Sequence, residues 1–283
     1  MAVDFFTKQQ VLAANNGKIV IKKPKIWLYP RNAERSYERE LVKLNKKFYK
    51  IISNNVNAAL PELIILSKQN RPDSSSARID AGWTETLGEL TSKVTYDLNS
   101  LIASEVPATT SAQATAISIA NKAQFIKVIH SALSINPIIQ ESYLETQLAS
   151  FQQANTALIT NLAEDQAAKM HEVLSRNLSQ GNSASAIRKE LKKNFNIGER
   201  RARLIARDQT NKFNGQLTQL RQQDFGIKKY TWLSSQDERV RTTHRVNNRE
   251  IFSWKRPPAT GHPGSAIQCR CTAQTIINED LFI

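Results

Sequence analysis

Long apolar runs are missing from this sequence. No stretch of 18 consecutive apolar residues occurs in its 283 residues, which removes the usual signature of a membrane-spanning helix. The first residues also lack the basic-then-apolar pattern of an export signal, so an intracellular product without a membrane partner is the expectation. Cysteine is nearly absent: there are two, Cys269 and Cys271. Thiols one residue apart would close a strained ring and have nothing distant to tether, so a disulfide framework is excluded and reduced thiols, free or metal-bound, are expected. Neither a Gly-rich phosphate loop nor a nucleophile motif is present, which argues against catalytic classes built on them. What remains is a chain long enough for one large or two ordinary domains.

Charge is plentiful and uneven. The net charge is +14, with a local excess of +8 in residues 1–50 and +11 in residues 186–256, around a middle of −4 in residues 51–185. Two basic regions flanking an acidic one suit contact with a polyanion, nucleic acid above all, because each neutralised phosphate releases counterions. The candidate contacts are Lys22, Lys23 and Lys25 in the first region and Arg200, Arg201, Arg203 and Arg207 in the second. Solvated helix faces and a basic arm are the bland alternative.

Periodicity divides the chain into helices followed by short strands. Residues 1–30 read as a basic arm, with Gly17 to Leu28 as an edge strand because Pro24 cannot donate to a ladder. Tyr37, Leu41, Leu44, Phe48, Ile51, Ile52 and Val56 recur at helical steps, up to a break or kink near Pro61. After a loop from Gln69 to Arg78, a second helix ends before Pro107 and a third runs from Ser111 to Leu133. A fourth is expected from about Pro137 to Ala163, and a fifth up to Gly181 as C′ glycine. Asn182 and Ser183 offer an N-cap to a short helix, and a turn at Asn196 and Gly198 leads into a long one from Glu199 to about Gln223. That helix, turn and helix admits a DNA-reading motif, although such pairs also build any α bundle. Beyond Gly226, residues 228–233, 249–254 and 272–277 read as short antiparallel strands. The fold class is therefore α+β, predominantly helical with a small C-terminal sheet.

The chemistry-bearing residues gather at the C-terminus. His244, His262, Cys269 and Cys271 follow the order H-x17-H-x6-C-x-C, a set of four soft or borderline ligands able to hold a structural zinc, although C-x-C is tighter than the usual pair spacing. The alternative is buried thiols and loop histidines fixed by hydrogen bonds. Asp237, Arg239 and Arg241 form a loop cluster beside His244, either a salt-bridged loop or the orienting shell of a ligand. A catalytic arrangement, with His244 as general base beside Asp237, would make a metal-dependent DNA-processing enzyme or effector. Tyr230, Trp232 and Trp254 fit a core better than a base-stacking surface, since they alternate on short strands. His130 and His171 have no partners in sequence.

A family likeness runs through the same region. Residues Arg201 to Leu217 (RARLIARDQTNKFNGQL), GIKKYTW from Gly226, DERVRTTH from Asp237, the strand IFSW, GHPG from Gly261 and QCRC from Gln268 together resemble the C-terminal domain of the Mu protein F-like minor head (head morphogenesis) proteins of tailed bacteriophages. One departure is visible: Asn248 and Arg249 stand where many members have a turn glycine. Composition and periodicity give an arm over residues 1–30 and a helical domain over 31–163, and the likeness, which covers roughly residues 150–280, implies a Mu F-like α+β domain over 164–283. It implies a binding protein of the virion and not an enzyme. That protein would sit at the portal vertex inside the head, pass through the host cytoplasm during assembly, and contact portal protein, capsid or scaffold proteins and double-stranded viral DNA during packaging or ejection.

Overall fold

The protein is described by a computed structural model covering residues 5–69, 81–236, 238 and 240–282. Its elements are α1 (Phe5–Ala14), α2 (Arg31–Gln69), α3 (Ala81–Leu133), α4 (Leu144–Ser179), α5 (Ala184–Asp224), β1 (Lys229–Leu233), α6 (Thr242–Val246), β2 (Ile251–Ser253) and β3 (Thr272–Thr275). The α+β expectation holds: long helices precede one small sheet of order β2-β1-β3, antiparallel throughout. By contact density the chain divides into two compact units. One comprises Met1–Tyr37, Ser111–Phe151 and Ala206–Ile283, and the other Glu38–Thr110 and Gln152–Ile205.

The helices are fewer and longer than their punctuation suggests. Pro61 lies inside α2 and Pro107 inside α3, so neither ends a helix. Each proline removes a backbone donor at about 3 kcal/mol, but buried residues continue at helical steps beyond it: Leu63 after Pro61, and Thr110, Ala114 and Ile117 after Pro107. Likewise the fourth and fifth expected helices are one, α4, with Leu162, Ala163, Ala167 and Met170 buried across the proposed join. Its end is as expected. Gly181 takes φ 71°, and the Asn182 amide donates to the Asn177 carbonyl in the pattern of a Schellman cap. Ser183 then caps α5, its Oγ accepting from the Ala186 amide at 3.2 Å.

The expected turn at Gly198 is absent, and with it the DNA-reading helix pair, because α5 is continuous. Glycine is there for a close approach. A Cβ on Gly198 would stand 2.7 Å from Asn45 Oδ1 and 3.2 Å from the Gln166 side-chain amide, so α2 and α4 press against α5 at this point. This contact lies within the unit formed by residues 38–110 and 152–205, whose buried residues include Leu44, Phe48, Leu90, Val94, Leu98, Leu174 and Ile187.

In the other unit, the segment from Gly17 to Leu28 forms no strand. Its polar groups go elsewhere: the Lys22 amide donates to the Ala132 carbonyl, the Lys25 amide to Ser131 Oγ, and the Trp27 amide to Gln274 Oε1. Trp27 is buried beside Phe125, in a cluster with Phe225, Ile227 and Ile277. A second cluster, Tyr230, Trp232, Trp254, Cys269, Cys271 and Ala273, covers one face of the sheet. The aromatic residues are core, as their alternation predicts. The same unit buries Arg221 completely; its guanidinium donates to Glu141, to Asn121 Oδ1 at 2.6 Å and to Ser118 Oγ at 3.0 Å.

Candidate metal centre

Cys269 and Cys271 lie just before β3, with alternating burial: both cysteines are buried and Arg270 between them is half-buried. In an extended segment, positions i and i+2 share a face, so C-x-C brings two sulfurs to one side. Arg270 meets the Glu34 carboxylate, which also accepts from the Tyr29 hydroxyl at 2.5 Å. The third member comes from α6, which the strand-and-loop reading of this region did not anticipate. His244 is the one buried residue of that five-residue helix, while Val246 two positions on is 72% exposed. A helix that hides its histidine and shows its valine is held by something other than apolar burial.

His244 Nδ1 stands 3.5 Å from Cys269 Sγ and 3.6 Å from Cys271 Sγ, and the three atoms lie within 4.8 Å of one another. One ring nitrogen has a single lone pair or proton, directed along one line, and cannot serve two sulfurs equally by hydrogen bonding. A tetrahedral ion on that line can. With Zn–S about 2.3 Å and Zn–N about 2.05 Å, a tetrahedral angle gives a nitrogen–sulfur separation of about 3.55 Å, the spacing found here. The group can hold a metal ion.

The surroundings favour a thiolate at Cys269. The Cys269 pKa is lowered to about 6, first by the hydrogen bond from the Cys271 thiol and then, against burial, by the backbone amides of Gly264 and Cys271 and by His244. Cys271 is pushed upward by the same pairing and by burial, opposed by Trp232 and the Ser235 amide. Trp232 Nε1 is buried and makes no hydrogen bond of ordinary geometry, although its N–H is close enough to stabilise an anion on the Cys271 sulfur. A thiolate there is the acceptor this indole lacks. The Trp232 ring also meets the His244 imidazole edge-on at 5.2 Å and fixes its plane.

His262, expected as a fourth ligand, is elsewhere. Its Nδ1 lies 2.9 Å from the Tyr230 hydroxyl, its ring is 4.9 Å from Trp254, and burial lowers its pKa, so a neutral imidazole accepts the tyrosine proton. The loop that carries it seats on α5. Asn211 Nδ2 donates to the Gly264 carbonyl at 3.0 Å, and a Cβ on Gly215 would be 2.6 Å from the Pro263 carbonyl oxygen. The asparagine and glycine of KFNGQL and the glycines of GHPG thus form one packing joint, which presents the Gly264 amide to Cys269.

Of the loop cluster, Asp237 and Arg239 lie outside the described residues, and Arg241 donates to the Ile267 carbonyl. At the turn where the family glycine is expected, Arg249 takes φ 72°, while Asn248 accepts from the Ser234 amide. The basic residues fare differently. Arg201 pairs with Asp165, Arg203 with Glu38 and Glu199, and Arg207 lies 3.8 Å from Glu34. Lys22, Lys23, Lys25 and Arg200 pair with no carboxylate among the described residues; Lys22 donates to Ser134 Oγ and Arg200 to the Asn196 carbonyl. None of the described helices is long and apolar enough to cross a membrane.

Comparison with known proteins finds a likeness over the same region. Residues 168–274 match the family model described as "Phage Mu protein F like protein". An uncharacterized protein of Haemophilus influenzae is 35% identical over 127 residues, which is 44% of this chain and 28% of that protein's length. No solved structure matches. The matched residues include the packing joint, nearly all of the sheet and the His/Cys/Cys group, so the part of the chain that resembles the Phage Mu protein F-like family is the part that carries the candidate site.

Proposed function

We propose that this protein is a phage minor head protein that acts in head morphogenesis at the portal vertex, binding portal or capsid proteins and viral DNA. The observation that carries the reading is the family match over residues 168–274, spanning the ordered motif blocks from RARLIARDQTNKFNGQL to QCRC. The family is generally structural, and the reading is of a binding protein. DNA contact falls to Lys22, Lys23, Lys25 and Arg200 before the arginines that carboxylates already neutralise, since an internal partner competes with phosphate. Zinc at His244, Cys269 and Cys271 serves as a cross-link between α6 and the segment entering β3. When bound, it supplies a fixed dication that holds both thiolates deprotonated.

The experiment is assembly in the presence and absence of the chain. Procapsids purified from a producing host contain it in few copies, and portal protein retains it under assembly conditions; its absence from both refutes the reading. For the DNA contact, the logarithm of affinity falls linearly with the logarithm of salt, by about 0.9 per phosphate engaged. Replacing Lys22, Lys23 and Lys25 with alanine flattens that slope, and an unchanged slope removes these lysines from the interface.

A further inference from the structure

We propose that the metal held by His244, Cys269 and Cys271 keeps an exchangeable fourth position, open to an arginine-lined cavity and filled by a small oxyanion of the phosphate class. This rests on the metal reading above and assigns the site a ligand. A structural zinc is closed by four protein ligands, whereas three protein ligands leave a position for an exogenous one. Among the described residues, no fourth histidine, cysteine, aspartate or glutamate joins the three, and His262 is committed to Tyr230.

The three ligands all line one cavity of about 240 Å³, together with Ser235, Gln268, Arg207, Arg241 and Arg270. That is room for several waters and for a small hydrated anion. The charge in and around the cavity is positive. A divalent ion with two thiolates and a neutral imidazole is neutral as a unit. Glu34 offsets one guanidinium: it pairs with Arg270 and stands 3.8 Å from Arg207 Nε. The nearby Asp208 is balanced by Lys212 at 2.7 Å and accepts from the Gln268 amide. Among the described residues, two guanidinium charges remain. Among the described residues, Arg207 Nε is buried without a hydrogen-bond partner, and the Arg241 side chain donates to the Ile267 carbonyl. Guanidinium forks match tetrahedral oxyanions, and a phosphate with one oxygen on the metal leaves the others for Arg241 and Arg207.

The test uses the full chain loaded with cobalt(II), whose visible bands report coordination. The thiolate-to-cobalt charge-transfer band reports the cysteines, and the ligand-field bands report the fourth position. Inorganic phosphate is expected to change the ligand-field bands saturably while the charge-transfer band stays. Arg241→Gln, at an exposed residue, is expected to weaken that titration at least tenfold with metal stoichiometry unchanged. A 5′-phosphorylated oligonucleotide is titrated beside its 5′-hydroxyl counterpart: a response to the phosphorylated strand alone, below the concentration needed for free phosphate, makes a DNA end the source. A response to free phosphate alone makes it a free anion. Cobalt bound with its charge-transfer band but blind to phosphate overturns the proposal, as does a titration that Arg241→Gln leaves unmoved. Failure to develop the charge-transfer band at all overturns the metal reading beneath it, and the two failures are distinguishable.

Discussion

The same substitution, glycine to alanine on a helix, is expected to have opposite effects at two positions of this protein. In a helix interior the added methyl stabilises by about 0.8–1 kcal/mol, because alanine loses less backbone freedom on folding. Gly88 on α3 meets nothing within 4 Å of a built Cβ, so Gly88→Ala realises that gain. Gly215 on α5 does not. Its Cβ would lie 2.6 Å from the Pro263 carbonyl oxygen and 3.3 Å from the Gly264 Cα, both backbone atoms without a rotamer to yield. The nearer contact is at least about 0.8 Å short of ordinary van der Waals distance, and such overpacking costs about 1–3 kcal/mol. Set against the propensity gain, Gly215→Ala is expected to destabilise by up to about 2 kcal/mol, about 1–3 kcal/mol below Gly88→Ala. Urea titration followed by tryptophan fluorescence and by helix circular dichroism measures both variants. A second readout is specific to the site: displacing the Gly264 loop moves an amide from Cys269, so metal affinity falls in Gly215→Ala and not in Gly88→Ala. If both variants gain stability equally and bind metal alike, the joint between α5 and the GHPG loop is not what holds the site.

Two further perturbations are read the same way. Glu141→Gln leaves the buried Arg221 without its counter-charge and is expected to destabilise by about 3 kcal/mol, measured by denaturant unfolding. Burial raises the Glu141 pKa, but hydrogen bonds from Lys122 and Arg221 together lower it, so its contribution is present above the ordinary carboxylate pKa and lost as pH falls through the depressed one. The gap between wild type and Glu141→Gln therefore narrows on acidification, and a gap that widens refutes the pairing. Arg249→Gly relieves a left-handed arginine and stabilises by up to about 1 kcal/mol, because the strain released exceeds the entropy glycine adds to the unfolded chain. Arg249→Val, branched at Cβ, moves the thermal midpoint down, and equal midpoints for the two variants would remove the strain.

The long helices and the three strands were legible in the sequence because they depend on local periodicity; helix ends were not, because they depend on packing. Pro107 and Gly198 each carry a breaker's signature, yet helical burial continues past both. At Gly198 the residue type answers to Asn45 and Gln166, which are distant in sequence. The same holds for Gly17 to Leu28, whose β-branched residues suggest a strand. Its partners are a helix end and a glutamine side chain, so the segment is extended without a ladder.

The candidate site divides along the same line. Cys269 and Cys271 were legible because a two-residue step in extended backbone fixes where two sulfurs point. His244 and His262 were indistinguishable by spacing, and what separates them is the environment each ring meets. His262 faces a hydroxyl and an indole that satisfy a neutral imidazole, whereas His244 faces two sulfurs equidistant from one nitrogen. A usable signal was nonetheless present in TTHRV. Had α6 been recognised as a helix, its single turn has no apolar stripe to bury, so a histidine drawn inward there must answer to a specific partner. Motif blocks that looked like a string of separate signatures converge on one joint: KFNGQL receives GHPG, GHPG lends an amide to QCRC, and QCRC faces the histidine of DERVRTTH. Substitution in any one block should therefore be felt at the thiolates, as a change in metal affinity larger than the change in fold stability.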